Sequence, residues 1–295
     1  MTADSDSKAV CGERTRLAAI ITCHNRKSLT LRCLESLDQA TQRALNGARV
    51  DVYLVDDGST DGTAQEVSAR FPDVRIVTGS GKLYWCGGMR LAWRTAAAGA
   101  RYDAYLWLND DVELFPDSLD VLLDTAGLVA LQTGHPGIIA GATRDEATGV
   151  TSYGEIGPQG IRPAGESSRP VDLFNGNIVL VPDSVYRMIG GLSRFYSHGF
   201  GDIDYAVRAK RHRVPTWIAA GHLGSCASNS VSQWSTPELP LWSRFVALHR
   251  PTGCPPWELA LLMIRSGKWW FPYSIARLYW RVLFPSSVGS SHFSA

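Results

Sequence analysis

Between Leu17 and Leu131 short apolar runs alternate with longer segments of helical spacing, and this rhythm narrows the fold more than any other feature. LAAIIT at 17–22, Val52 to Val55, Val74 to Val77 and Tyr105 to Leu108 read as buried strands. Residues 28–45, Thr60 to Arg70, Gly87 to Ala98 and Leu119 to Leu131 read as the helices that follow them. Strand and helix in regular succession imply a parallel, doubly wound α/β sheet covered on both faces. Ligands of such sheets bind beyond the carboxyl ends of the strands. The acids Asp56 and Asp57, and the cluster Asn109, Asp110 and Asp111, fall at those ends, on one edge of one crevice.

The second of these clusters is the sharper one. In LWLNDDVEL, 106–114, an apolar strand stops abruptly at adjacent carboxylates, where like charges are costly unless a cation sits among them. A lone Asp-Asp pair also fits a solvated turn. VYLVDDGSTDGT at 52–63 and GFGDIDYAVR at 199–208 add strand-then-acid and acid-then-helix elements, which favours a metal-dependent site.

Composition sets outer limits. A chain of 295 residues, 45% hydrophobic and 19% charged, can bury a large core, and a net charge of +1 gives no sign of a nucleic-acid partner. Six scattered cysteines lack metal or redox spacing and read as reduced thiols of a cytoplasmic protein. Residues 1–16 are polar, read as a flexible N-terminus, and argue against a secretory signal; no uninterrupted apolar run of spanning length follows. After about Gly137 the rhythm changes: IIAGAT and a Gly/Pro-rich stretch from Thr148 to Pro170 suggest short strands, VDLFNGNIVLVP a buried strand pair, and Asp204 to Arg213 a basic amphipathic helix. This half has the makings of an acceptor platform stacked on a nucleotide-binding half.

IITCHNR at 20–26, VDDGSTDGT at 55–63, NDD at 109–111, GFGDIDYAVR at 199–208 and GHLGSCAS at 221–228 stand in the order and at the approximate spacing of family 2 glycosyltransferases. The chain resembles that family from about Leu17 to Ser230. The resemblance implies a GT-A fold, mostly parallel with a mixed-sheet extension, divided into a nucleotide-sugar-binding half at 17–136 and an acceptor-binding half at 137–234. It also implies an inverting enzyme that takes a nucleoside-diphosphate-sugar as donor and a glycan or lipid-linked acceptor, with Mg²⁺ or Mn²⁺ as cofactor.

On that resemblance Thr22, His24, Asn25 and Arg26 converge with Asp56 and Asp57 on the donor base and ribose, with Asp57 the preferred hydrogen-bond acceptor. Asn109 stands where many relatives carry an acid, so metal binding shifts to Asp111, with His222 as the second ligand and Asp110 on the donor side. The segment 79–93 resembles the donor loop; Gly87 and Gly88 would allow close backbone approach, and Lys82 or Arg90 could meet phosphate. Asp202 matches the general base. Many relatives have Glu immediately before it, whereas here the residue is Gly201, which leaves Asp202 the base candidate in that spot. Asn175, Gly176, Asn177 and Asp204 fall on the acceptor side, and Arg208 is spaced to pair with Asp204. Two other classes stay open: a sugar nucleotidyltransferase, which would release pyrophosphate, and a sugar-nucleotide-binding module without chemistry.

From Trp234 onward the resemblance fades. PPWELALLMIRSGKWWFPYSIARLYWRVLFP is dense in Trp, Tyr and Leu, punctuated by Arg265, Lys268, Arg277 and Arg281. It reads as a helical extension, 235–295, with two roles open: packing on the domain or on a second subunit, as in a homo-oligomer, or peripheral contact with the inner face of a membrane. Breaks at Gly267 and Pro272 exclude a simple span. A bacterial cell-surface polysaccharide or glycolipid is the product that family habit suggests.

Overall fold

The computed structural model describes residues 14–45, 47–228 and 233–285, so most of the expected flexible N-terminus, Cys11 and the end of the family resemblance lie outside the described residues. The first half runs β1 (Arg16–Cys23), α1 (Lys27–Arg43), β2 (Arg49–Asp56), α2 (Thr63–Arg70), β3 (Arg75–Thr78), α3 (Tyr84–Gly99), β4 (Ala104–Leu108), β5 (Glu113–Leu114) and α4 (Ser118–Thr133). The second half runs β6 (Ile138–Arg144), β7 (Thr151–Tyr153), β8 (Ile156–Gly157), β9 (Gly160–Ile161), β10 (Arg169–Pro170), β11 (Ile178–Pro182), α5 (Asp183–Ile189), α6 (Gly201–Arg211) and β12 (Thr216–Ser225). Three further helices, α7 (Leu241–His249), α8 (Pro256–Arg265) and α9 (Phe271–Leu283), complete the described chain.

The main sheet is ordered β10-β12-β6-β11-β4-β1-β2-β3, with β5 on β12 and β7 on β6. β1, β2, β3 and β4 pair parallel, β11 runs antiparallel between β4 and β6, and β12 returns parallel to β6. One sheet, mostly parallel with β11 antiparallel within it, carries both halves, as the GT-A resemblance implies.

β1 shows why the order is fixed. Leu17, Ala19 and Ile21 join the core beneath α1 and α4, while Ala18 and Ile20 join the core beneath α3, so the strand is apolar on both faces and belongs in the middle. On the α3 side Trp93 lies 4.8–5.6 Å, ring to ring, from Tyr186, Trp107, Tyr105 and Tyr205. Gly88 lets α3 sit directly on β1: a Cβ there would lie 2.0 Å from Thr22 Oγ1.

The stretch VDLFNGNIVLVP forms one strand, β11, where a strand pair was expected. Its first half is held in an irregular path by an isolated bridge from Phe174 to Glu155 and by Asn175 N–H donating to Gly154 O at 2.9 Å. α8 and α9 occupy the aromatic tail, and α7 precedes them without having been foreseen. Leu262 of α8 packs with Cys86 and Tyr196, which seats the extension against the rest of the chain.

Candidate active site

A cavity of about 480 Å³ opens at the carboxyl ends of the central strands. Thr22, His24 and Arg26 enter it from the end of β1, Asp57 from β2, Asn109, Asp110 and Asp111 from β4, Asn175, Gly176 and Asn177 from the approach to β11, and Asp202 from the first turn of α6.

The end of β2 is built of backbone contacts. Asp57 Oδ1 accepts from Gly81 N–H at 2.7 Å, and its Oδ2 accepts from Leu83 N–H at 2.7 Å and Tyr84 N–H at 3.0 Å. Asp57 thereby holds the 79–84 loop, and its backbone carbonyl pairs with His24 Nδ1 at 2.8 Å. Asp56 and Asn25 stand behind the wall: Asp56 Oδ1 accepts from Ser59 N–H at 2.8 Å, and Asn25 Oδ1 accepts from Thr60 N–H at 2.7 Å, which fixes the turn between β2 and α2.

The end of β4 is built differently. A single guanidinium, Arg26, donates to Asp110 Oδ1 at 3.2 Å and to Asp111 Oδ2 at 2.8 Å. Asp110 Oδ2 is buried and has no hydrogen-bond partner among the described residues. Burial first, then the neighbouring Asp111, against the opposing pull of Arg26, pushes the Asp110 carboxyl up to about 7. Asn109 spends its side-chain carbonyl on the Trp85 indole N–H, at 2.7 Å.

At the start of α6 Asp202 Oδ2 accepts from Gly176 N–H at 2.9 Å and its Oδ1 from Ile203 N–H at 2.8 Å. Burial raises the Asp202 carboxyl above its ordinary range, and these N–H contacts oppose the rise. Residue 201 has no room for a side chain, since a Cβ on Gly201 would meet Cys86 Sγ at 2.4 Å. Backbone strain surrounds the cavity: Asn25, Tyr84 and Phe200 hold φ of 51°, 54° and 64°, at a cost of about 1–3 kcal/mol each.

Residues 18–129 match the family model described as Glycosyl transferase family 2. That segment is a family 2 glycosyltransferase segment. Over 206 residues the chain is 30% identical to the N-acetylglucosaminyl-diphospho-decaprenol L-rhamnosyltransferase of Mycobacterium tuberculosis, in two strains. The match covers 60% of this chain and 64% of the relative, so the chain spans less than two thirds of the length of these curated relatives. Among solved structures, the mannosyltransferase PcManGT from Pyrobaculum calidifontis, in complex with GDP-Man and Mn²⁺, aligns with a TM-score of 0.54 at 14% identity, over 93% of this chain and 74% of that one. S. aureus TarS 1-349 in complex with UDP-GlcNAc aligns with a TM-score of 0.53 at 12% identity, over 92% and 72% of the two chains.

Several residues that the family resemblance singled out stand elsewhere. His222 does not line the cavity; its Nε2 pairs with Thr151 Oγ1 at 2.9 Å, and β12 is irregular on both sides of it. Cys226 comes nearest to the acid pair from that strand end, with Sγ–H donating to Asp111 Oδ1 at 3.6 Å. Asp204 is fully buried away from the cavity, between Arg208 Nε at 3.0 Å and Arg265 Nη1 at 2.7 Å, so it is a structural anion and not an acceptor contact. Gly87 and Gly88 lie inside α3, packed on Leu83 and Thr22, and present no open backbone to a donor. Lys82 is exposed outside the cavity lining, and Arg90 donates to the carbonyls of Ser193 and Tyr196 at 2.7 and 2.9 Å.

Tyr84, Trp85, Tyr153, His198 and Thr252 line the cavity without having been anticipated. Burial, and then the charge of Arg26, lowers the His198 imidazole below its ordinary range, so the ring stays neutral and keeps a nitrogen lone pair. Thr252 comes from the extension, beyond the reach of the family motifs.

Among the described residues, no group of three His, Cys, Asp or Glu side chains could cage a metal ion. Mg²⁺ is typically held by one or two carboxylates together with substrate phosphates, and this the site can supply: two adjacent carboxylates at the cavity wall, one with an unspent oxygen.

Proposed function

We propose that the chain is an inverting glycosyltransferase that moves a sugar from a nucleoside-diphosphate-sugar to a hydroxyl of a glycan or lipid-linked acceptor. The observation that carries this reading is that one cavity is lined both by the acid turn Asp110–Asp111 and by Asp202, from a different element of the fold. In the mechanism that follows, residues 17–136 bind the donor, with His24 and the loop held by Asp57 framing the base and ribose. Asn175, Gly176 and Asn177 present the acceptor within residues 137–234. Asp202 takes the proton from the acceptor hydroxyl as the oxygen attacks the anomeric carbon, and its raised affinity for protons suits it to that task. Attack opposite the departing diphosphate inverts the anomeric configuration.

Asp111, with Asp110 beside it, would hold Mg²⁺ or Mn²⁺; such an ion, when bound, supplies positive charge to the leaving diphosphate. Arg26, now bridging both acids, supplies positive charge in the same place and must share them with any ion that enters. A lipid-linked acceptor is supported by the printed substrate of the mycobacterial relative. That supports a role in cell-surface polysaccharide assembly at the cytoplasmic face of a membrane, with the 235–295 extension as a peripheral contact. Among the described residues no helix is long and apolar enough to cross a membrane.

The test is a screen of nucleoside-diphosphate-sugars, with and without Mn²⁺, against short glycosyl-diphospho-lipid acceptors, with mass spectrometry of both products. A sugar-extended acceptor with released nucleoside diphosphate is expected. Release of pyrophosphate would instead indicate a nucleotidyltransferase, and binding of a donor with neither product a module without chemistry.

A further inference from the structure

A second cavity, of about 490 Å³, lies between α6 and the α8–α9 turn and has no part in the chemistry described above. Its apolar lining comes from Leu173, Ile203, Val207, Leu262 and Met263. Its charged lining comes from Lys210, Arg211, Arg265 and Lys268, with one acid, Asp172.

The charges are unequally compensated. Lys210 pairs with Asp172 at 2.8 Å, and Arg265 pairs with the buried Asp204. Arg211 reaches only the backbone carbonyl of Arg265 among its described contacts, and no acid lies within ion-pair distance of Lys268 among the described residues. The half-buried ammonium of Lys268 has its affinity for protons lowered by burial, the penalty of a cation kept from water without a counter-ion. A cavity of this size, lined both by apolar side chains and by an excess of positive charge, is complementary to an amphiphile with an anionic head. The chain around Lys268 continues into Trp269, Trp270 and Tyr273, which are 83%, 45% and 68% exposed; such rings settle where water meets hydrocarbon. Ile203 is the neighbour of Asp202, so this cavity and the catalytic one share the first turn of α6.

We infer that this cavity binds the phosphate-bearing end of a single-chain lipid, with the phosphate on Lys268 and Arg211 and the first part of the chain on Val207, Leu262 and Met263. The identity of the tail rests on the lipid-linked acceptor proposed above; the site itself rests on the cavity and its charges.

Farnesyl phosphate is the probe, titrated by calorimetry against the intact chain in the absence of any sugar nucleotide, with inorganic phosphate, farnesol and short-chain phosphatidic acid in parallel. Farnesyl phosphate should bind, and both phosphate and farnesol should bind at least about tenfold more weakly, because each offers half of the complementarity. Lys268→Ala should weaken farnesyl phosphate about tenfold at unchanged melting temperature, Lys268→Arg should restore it, and Val207→Ser should weaken farnesyl phosphate without changing the response to inorganic phosphate. Stronger binding of phosphatidic acid, which carries two chains, than of farnesyl phosphate would overturn the single-chain assignment and point to a membrane phospholipid. No binding of either lipid, equal binding by Lys268→Ala, or loss of binding on Asp111→Ala but not on Lys268→Ala would overturn the assignment. Binding at this site in a chain that transfers no sugar would support it and sink only the transferase reading.

Discussion

The ends of β2 and β4 both carry adjacent aspartates to the edge of the same cavity, which Asp57, Asp110 and Asp111 line, yet the protein secures them in opposite ways. Asp57 accepts three backbone N–H groups from a loop two dozen residues away, so its geometry is set by main chain that cannot rotate out of place. Asp110 and Asp111 share one long side chain, that of Arg26, with the Cys226 thiol also on Asp111, and one oxygen of Asp110 has no described partner. The first arrangement fixes a wall. The second stores negative charge behind a cation that can leave, which suits a place where charge must be exchanged for that of a ligand.

The contrast is most directly broken at Asp111. Asp111→Ala should reduce turnover to the limit of detection, and excess EDTA should do the same to the native enzyme; full turnover in EDTA would mean that Arg26 alone supplies the positive charge. Next in size is the effect at Asp202: Asp202→Asn should lower kcat by roughly 10²–10⁴-fold while donor affinity hardly changes, and the rising carboxylate limb of the pH profile should vanish. Loss of donor affinity with turnover intact would move the base elsewhere.

Two stability measurements sharpen the comparison. Asp57→Ala strands three N–H groups and should cost about 3–6 kcal/mol in denaturant unfolding; a cost below 1 kcal/mol would show that the 79–84 loop is held by something else. Asp110→Asn should act in the other direction. Because burial raises the folded carboxyl to about 7, the folded metal-free protein retains a proton that the unfolded chain releases, so stability declines as pH climbs from about 4 through 7. The Asn variant should lose that slope and gain about 2–3 kcal/mol at pH 8. An unchanged slope would remove Asp110 as its source. The smallest effect is expected from Asn109→Asp, which should leave turnover within a few-fold while tightening Mn²⁺ affinity; a large loss would show that the hydrogen bond from Trp85 depends on an uncharged partner.

What could be read from the residues and what could not divide along a physical line. The strand ends were legible because an apolar run that stops at acids is a local pattern, and local patterns decide where a strand exits the core. The partners of those acids were not, because Arg26 meets Asp110 across 84 positions and Arg265 meets Asp204 across 61. His222 misled because β12 is irregular on either side of it, so alternation along the strand no longer gives the facing of its ring, and His198 carried no motif at all. Gly87 and Gly88 misled because the helix read from Gly87 begins three residues earlier, at Tyr84, so both glycines lie inside α3 and not at the end of a ligand loop. The aromatic tail announced helices but not that Thr252 would reach the cavity.

The missing side chain at position 201 has a consequence for how this sequence can change over time. With Cys86 Sγ standing where a Cβ would go, any side chain at 201 must displace that thiol, and Cys86→Ala should ease the change. Position 201 is therefore coupled to position 86, and while the Cys86 thiol keeps its place the residue before Asp202 is held to glycine by packing.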